Sequence, residues 1–138
     1  MATPDPALLI VDDNEDNRYT LGQRLKRLGY PNLTTAVNGR EALELLRTRT
    51  FHLVLLDIMM PEMNGYDVLE RMRGDAKLRG IPVIMISAVN ELDAADHAVE
   101  LGAEDYLPKP FNPTLLRARV GASLEKKRSS VGLNGFGR

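Results

Sequence analysis

The chain has 138 residues, 43% hydrophobic and 27% charged, with a net charge of −1 and no cysteine. That size fits one domain around one core, and the near-neutral balance supplies no field that would draw it to nucleic acid or a membrane. A disulfide framework and a thiolate metal site are excluded; no apolar run is long enough to span a bilayer, and the N-terminal "MATPDPA" lacks the regions of a signal peptide, so the expected setting is the cytoplasm.

Short apolar runs alternate with helical patterns along the chain. The first run is "ALLIV" (7–11), followed by a helical pattern over about 14–28 with Leu21, Leu25 and Leu28 on one stripe. "LTTAV" (33–37) precedes a helix over about 39–48, and "FHLVLL" (51–56) precedes one over about 65–74. "IPVIMI" (81–86) leads to a helix over about 91–101, and "DYL" (105–107) to a last one over about 113–128. Gly29, Gly74 and Gly102 stand where helix C-caps are expected, and Asn112-Pro113 reads as an N-cap followed by proline at the first helical position. Nearly continuous apolar runs mark strands buried on both faces. Five βα units in sequence predict an α/β fold with a doubly wound parallel sheet and right-handed crossovers. The domain is expected over 7–128, after a lead of residues 1–6. The Gly- and Ser-rich tail 129–138 reads as disordered or as a linker stub.

An open parallel sheet places its chemistry at the carboxyl ends of its strands. Asp12 and Asp13 follow the first run, Asp57 the third, Ser87 and Ala88 the fourth, and Lys109 and Pro110 the fifth. Taken singly, each has an ordinary reading. The first two acids are helix caps, Asp57 is a turn former, Ser87 a satisfied hydroxyl, Lys109 a solvated cation and Tyr106 a core ring. Taken together they put three acids, a hydroxyl and an ammonium on one edge. Three close carboxylates repel unless a cation joins them, and hard oxygen donors suit Mg²⁺. A metal, an ammonium and a hydroxyl suit a phosphoryl group. There is no Walker loop and no G-x-G-x-x-G, so the phosphorus arrives from elsewhere, with Asp57 the best-placed nucleophile.

The set "VDDN" (11–14), "LLDIMMPEMNG" (55–65), "MISA" (85–88) and "YLPKPF" (106–111) resembles the receiver domain of two-component response regulators, of the chemotaxis-regulator type. The resemblance implies a flavodoxin-like (βα)5 fold with strand order 2-1-3-4-5. It implies that Asp57 takes a phosphoryl group from a sensor histidine kinase or a histidine phosphotransfer protein. Asp12, Asp13, Asp57 and the Met59 backbone carbonyl would hold Mg²⁺, which Mn²⁺ could replace, with Asp12 acting through water. Lys109, Ser87 and Ala88 would bind the phosphoryl group. Ser87 and Tyr106 would act as the switch, Pro110 would follow a cis peptide bond, and Gly65 would open the third helix. The surface around the fourth helix, fifth strand and fifth helix would carry the signal to a downstream protein or a fused output domain. A phosphorylation-dependent homodimer fits the same picture; a nucleic acid or a membrane does not.

The resemblance further implies that the side chains of Met59 and Val89 flank the path of a hydrolytic water, which neither can orient. A turnover phosphatase of the haloacid dehalogenase type needs a second aspartate two residues after its nucleophile, where this chain has Met59. A receiver-like binding module that has lost phosphorylation would lack an acid or the lysine, and this chain keeps them. The chain therefore reads as a phosphoacceptor signalling domain rather than an enzyme, either stand-alone or part of a longer protein. His52 and His97 receive no role, and the basic residues Arg117, Arg119, Lys126, Lys127 and Arg128 read as a solvated helix face.

Overall fold

The computed structural model describes residues 5–87, 97–109 and 112–135, with 126–135 as backbone only. Five parallel strands, β1 (Leu8–Val11), β2 (Leu33–Ala36), β3 (Leu53–Asp57), β4 (Val83–Ser87) and β5 (Asp105–Pro108), form one sheet in the order β2-β1-β3-β4-β5. This is the flavodoxin-like arrangement. Helices α1 (Glu15–Arg27), α2 (Gly39–Thr48) and α3 (Gly65–Arg73) and a C-terminal helix (Pro113–Gly135) connect and cover it. Of the helix expected over about 91–101, residues 97–100 are helical and 91–96 lie outside the described residues. Among the described residues no helix is long and apolar enough to cross a membrane.

Strand pleating divides the core in two. Leu9, Val11, Val54, Leu56, Val83 and Met85 face α2 and α3, where they meet Leu46, Val68, Leu69 and Met72. Leu8, Ile10, Leu53, Leu55, Ile84 and Ile86 face the other way, onto Leu21 and Leu25 of α1 and Leu116 and Val120 of the C-terminal helix. Every residue of β1, β3 and β4 is buried, which explains their unbroken apolar runs.

Asparagines start the helices. Asn14, Asn38 and Asn64 accept from the backbone N–H three residues on, at 2.9, 2.8 and 3.0 Å. Asn112 accepts from Thr114 and Leu115 N–H ahead of the C-terminal helix, as its sequence predicts. Gly29 and Gly102 follow helical segments with φ of 98° and 101°, a region glycine enters freely.

One expectation is corrected. The C-terminal helix does not stop near residue 128 but runs to Gly135, so residues 129–135 of the segment expected as a disordered tail or a linker stub are helical. Extending an existing helix adds a hydrogen bond for each residue fixed, so a weakly helical sequence can follow a strong one. On the basic face of this helix, Arg119 Nη1 lies 3.0 Å from Asp105 Oδ2 on β5 while its side chain stays 42% exposed.

Candidate functional site

The strand order reverses between β1 and β3, because the chain leaves β1 outward to β2 and returns to β3. Such a switch point opens a crevice at the carboxyl end of the sheet. Asp57 is the last residue of β3 and pairs in register with Ile86, while Asp12 and Asp13 follow β1 directly. The carboxylates of Asp12, Asp13 and Asp57 offer oxygens that all lie within 4.8 Å of one another. Asp12 and Asp57 are each 4% exposed, whereas Asp13 faces solvent.

Lys109 comes from the far side of the sheet. Its backbone N–H donates to the Ser87 carbonyl at 2.8 Å, which fixes the start of the loop after β5 against the end of β4. Its Nζ then lies 3.0 Å from Asp12 Oδ2 and 3.4 Å from Asp57 Oδ1, with the side chain 16% exposed. One ammonium does not neutralise three acids. Burial, reinforced by the Asp12 charge, pushes the Asp57 carboxyl up to about 6 against the opposing pull of Lys109. A carboxylate held this way is short of positive charge. An all-oxygen donor set with one solvent-facing member fits a hard divalent cation such as Mg²⁺.

Local contacts fix Asp12. Asn14 N–H donates to its Oδ1 at 2.9 Å, and Arg18 Nη1 donates to its carbonyl at 2.8 Å. Asp12 is thus not the cap of α1; Asn14 is. Sequence reasoning missed both Asn14 and Arg18. The available signal was a cation in the first helical turn, where the helix dipole disfavours one.

The loop after Asp57 is tight. Met63 N–H donates to the Pro61 carbonyl at 2.7 Å across Glu62, whose φ is 67°, a γ-turn in the strained left-handed region. Gly65 N–H donates to the Ile58 carbonyl at 2.9 Å. A Cβ on Gly65 would lie 2.8 Å from Ile58 Cα and would strike the Asp57 carbonyl, so only glycine lets α3 start so close to the end of β3. Ser87 ends β4 and is fully buried, and Tyr106 of β5 is partly buried against the α2–α3 side of the core. The Met59 side chain is 61% exposed. Ala88, Val89 and Pro110 lie outside the described residues.

The family model for the response regulator receiver domain matches residues 8–121. The chain belongs to the response regulator receiver family. It is 42% identical over 119 residues to "Probable transcriptional regulator ycf27" of Cyanidium caldarium, an alignment covering 86% of this chain and 46% of that protein. It is 40% identical over 122 residues to a "Probable cyclic di-GMP phosphodiesterase" of Vibrio cholerae, covering 88% of this chain and 27% of that protein. The receiver thus spans about half the length, or less, of these curated relatives. Among solved structures it superposes on the Vibrio cholerae chemotaxis protein CheY4 with a TM-score of 0.81 at 28% identity, covering 88% of this chain and all (100%) of that one. It superposes on the receiver domain of a Colwellia psychrerythraea DNA-binding response regulator with a TM-score of 0.81 at 32% identity, covering 88% and 99%. The chain is accordingly a signalling domain of the two-component type.

Proposed function

We propose that this receiver accepts a phosphoryl group on Asp57, in a reaction that depends on Mg²⁺ or Mn²⁺. The observation that carries the reading is the Asp57 carboxylate, buried at the end of the central strand and facing both the Asp12–Asp13 pair and the Lys109 ammonium. The donor is a phosphohistidine on a sensor kinase or a phosphotransfer protein. An Asp57 oxygen attacks phosphorus, the P–N bond breaks, and the histidine nitrogen keeps the electron pair. Asp12, Asp13, Asp57 and the Met59 carbonyl would hold the cation, which supplies positive charge to the transferring phosphoryl oxygens. Lys109 supplies the second positive charge and holds the product. The Ser87 hydroxyl donates to a phosphoryl oxygen, and Ala88 leaves room for it.

Output follows from the same contacts. Lys109 and Ser87 are joined through the backbone at the β4–β5 edge, so drawing both onto a phosphoryl group pulls on β5 and on Tyr106. The partner on that face is a protein or a fused output domain, and phosphorylation-dependent pairing of two copies is consistent with it. The domain takes up and loses the group but turns over no separate substrate.

The test is to incubate the protein with acetyl phosphate and Mg²⁺, weigh it and map the adduct. One phosphoryl group on Asp57, absent with excess EDTA, is the expected result. An adduct of similar yield in Asp57→Asn overturns the assignment.

A further inference from the structure

Five of the six methionines lie among the described residues, and they differ sharply in access. Met72 and Met85 are fully buried, and Met60 is 7% exposed. Met63 packs against the core, with its sulfur 2.8 Å from where a Cβ on Gly39 would lie. Met59 is 61% exposed, two residues beyond Asp57 in the loop that leaves the carboxylate cluster. A lone exposed apolar side chain is ordinary. This one is the most exposed thioether of the described set, and it lies two residues beyond Asp57 in the chain.

We propose that Met59 is an oxidation site for peroxides and that its sulfoxide shortens the life of a phosphoryl group on Asp57. The second half rests on the phosphoryl reading given above. In the oxidation, a sulfur lone pair attacks one peroxide oxygen and the O–O bond breaks. With hydrogen peroxide, the departing hydroxide takes the proton from the new S–OH group and leaves as water. Sulfur loses two electrons and the peroxide gains them. Access selects the residue, because Met60, Met72 and Met85 are buried and the half-buried Met63 offers its sulfur less freely than Met59 does. The consequence follows from polarity. A thioether offers water only a weak acceptor, so Met59 presents apolar surface to solvent two residues from Asp57. A sulfoxide puts a strong acceptor oxygen in the same place, where it can hold a water beside the phosphorus. Sulfoxide reductases reverse the change, so the modification would act as a resettable redox input.

The experiment has two arms. Folded protein is treated with dilute hydrogen peroxide, digested, and mapped by fragmentation that separates Met59 from Met60. Met59 sulfoxide should form first, with Met60, Met72 and Met85 untouched until denaturant is added. Equal or earlier oxidation of Met60 or Met63 overturns the site. In the second arm, protein loaded with acetyl phosphate and Mg²⁺ is freed of donor, and phosphate loss is followed. Oxidised protein should lose it several-fold faster than untreated protein, and reductase treatment should restore the slower rate. Met59→Leu should decay alike with and without peroxide. Unchanged decay after oxidation, or an equal peroxide effect in Met59→Leu, overturns the consequence. If no adduct forms on Asp57 in untreated protein, the phosphoryl reading fails and takes the consequence with it, while the oxidation map still decides the site.

Discussion

Lys109 lies 97 residues from Asp12 in the chain, yet its ammonium sits 3.0 Å from the Asp12 carboxylate. The same Nζ lies 3.4 Å from Asp57. The lysine therefore partly occupies the electrostatic place that a divalent cation would fill. Replacing it should leave cation binding intact or tighten it, since a like charge is removed from the neighbourhood of the acids. We expect Lys109→Met to bind Mg²⁺ at least as well as wild type in an NMR titration, but to lose the shifts at Ser87 and Tyr106 that a beryllofluoride phosphoryl mimic induces. A variant that loses Mg²⁺ binding and keeps those shifts contradicts the division of labour.

The raised Asp57 pKa makes stability depend on pH. The folded protein holds this proton more tightly than the unfolded chain, whose carboxyl titrates near 3.8, while the folded one titrates at about 6. The stabilisation from the neutral carboxyl is present below about pH 3.8 and is lost as pH rises through 6. Asp57→Asn keeps a neutral group throughout. In EDTA the variant should therefore gain on wild type between pH 4 and 6 and level off above pH 7, by up to about 3 kcal/mol. Urea denaturation across that range measures it. A difference that is flat with pH, or that grows toward acid, contradicts the account.

The loop after Asp57 carries strain that glycine would relieve. Glu62 has a φ of 67° in a γ-turn closed by Met63 N–H and the Pro61 carbonyl. Glu62→Gly should stabilise the domain by about 1 kcal/mol, the strain released exceeding the extra entropy lost on folding. Chemical denaturation in the presence of Mg²⁺ gives the value. A loss of stability would mean that the Glu62 side chain makes contacts worth more than the strain.

The fold was legible because its periodicities are unmixed. Continuous apolar runs at β1, β3 and β4, short and bounded by turn residues, mark strands buried on both faces, and the stripe of Leu21 and Leu25 marks the buried side of α1. The placement of Asp12, Asp13, Asp57 and Lys109 followed from strand ends in a parallel sheet. What stayed hidden depends on local geometry or distant pairing. Arg18 acts on a backbone carbonyl, which composition does not reveal. Arg73 donates to the Ile81 and Gly102 carbonyls from the end of α3, the latter 29 residues away. The strain at Glu62 shows only in φ, and the pairing of Arg119 with Asp105 needs the helix seated on β5. The helix beyond residue 128 has no periodic signal of its own, since it continues one that is already formed.

Transfer from a P–N donor tests the central claim most directly. Wild type, Asp57→Asn and EDTA-treated wild type are incubated with radiolabelled phosphoramidate, whose bond resembles that of phosphohistidine. The account predicts label on wild type in the presence of Mg²⁺, stable to acid and released by base, and none in the other two samples. Equal labelling of Asp57→Asn, or labelling that survives removal of the divalent ion, would contradict it.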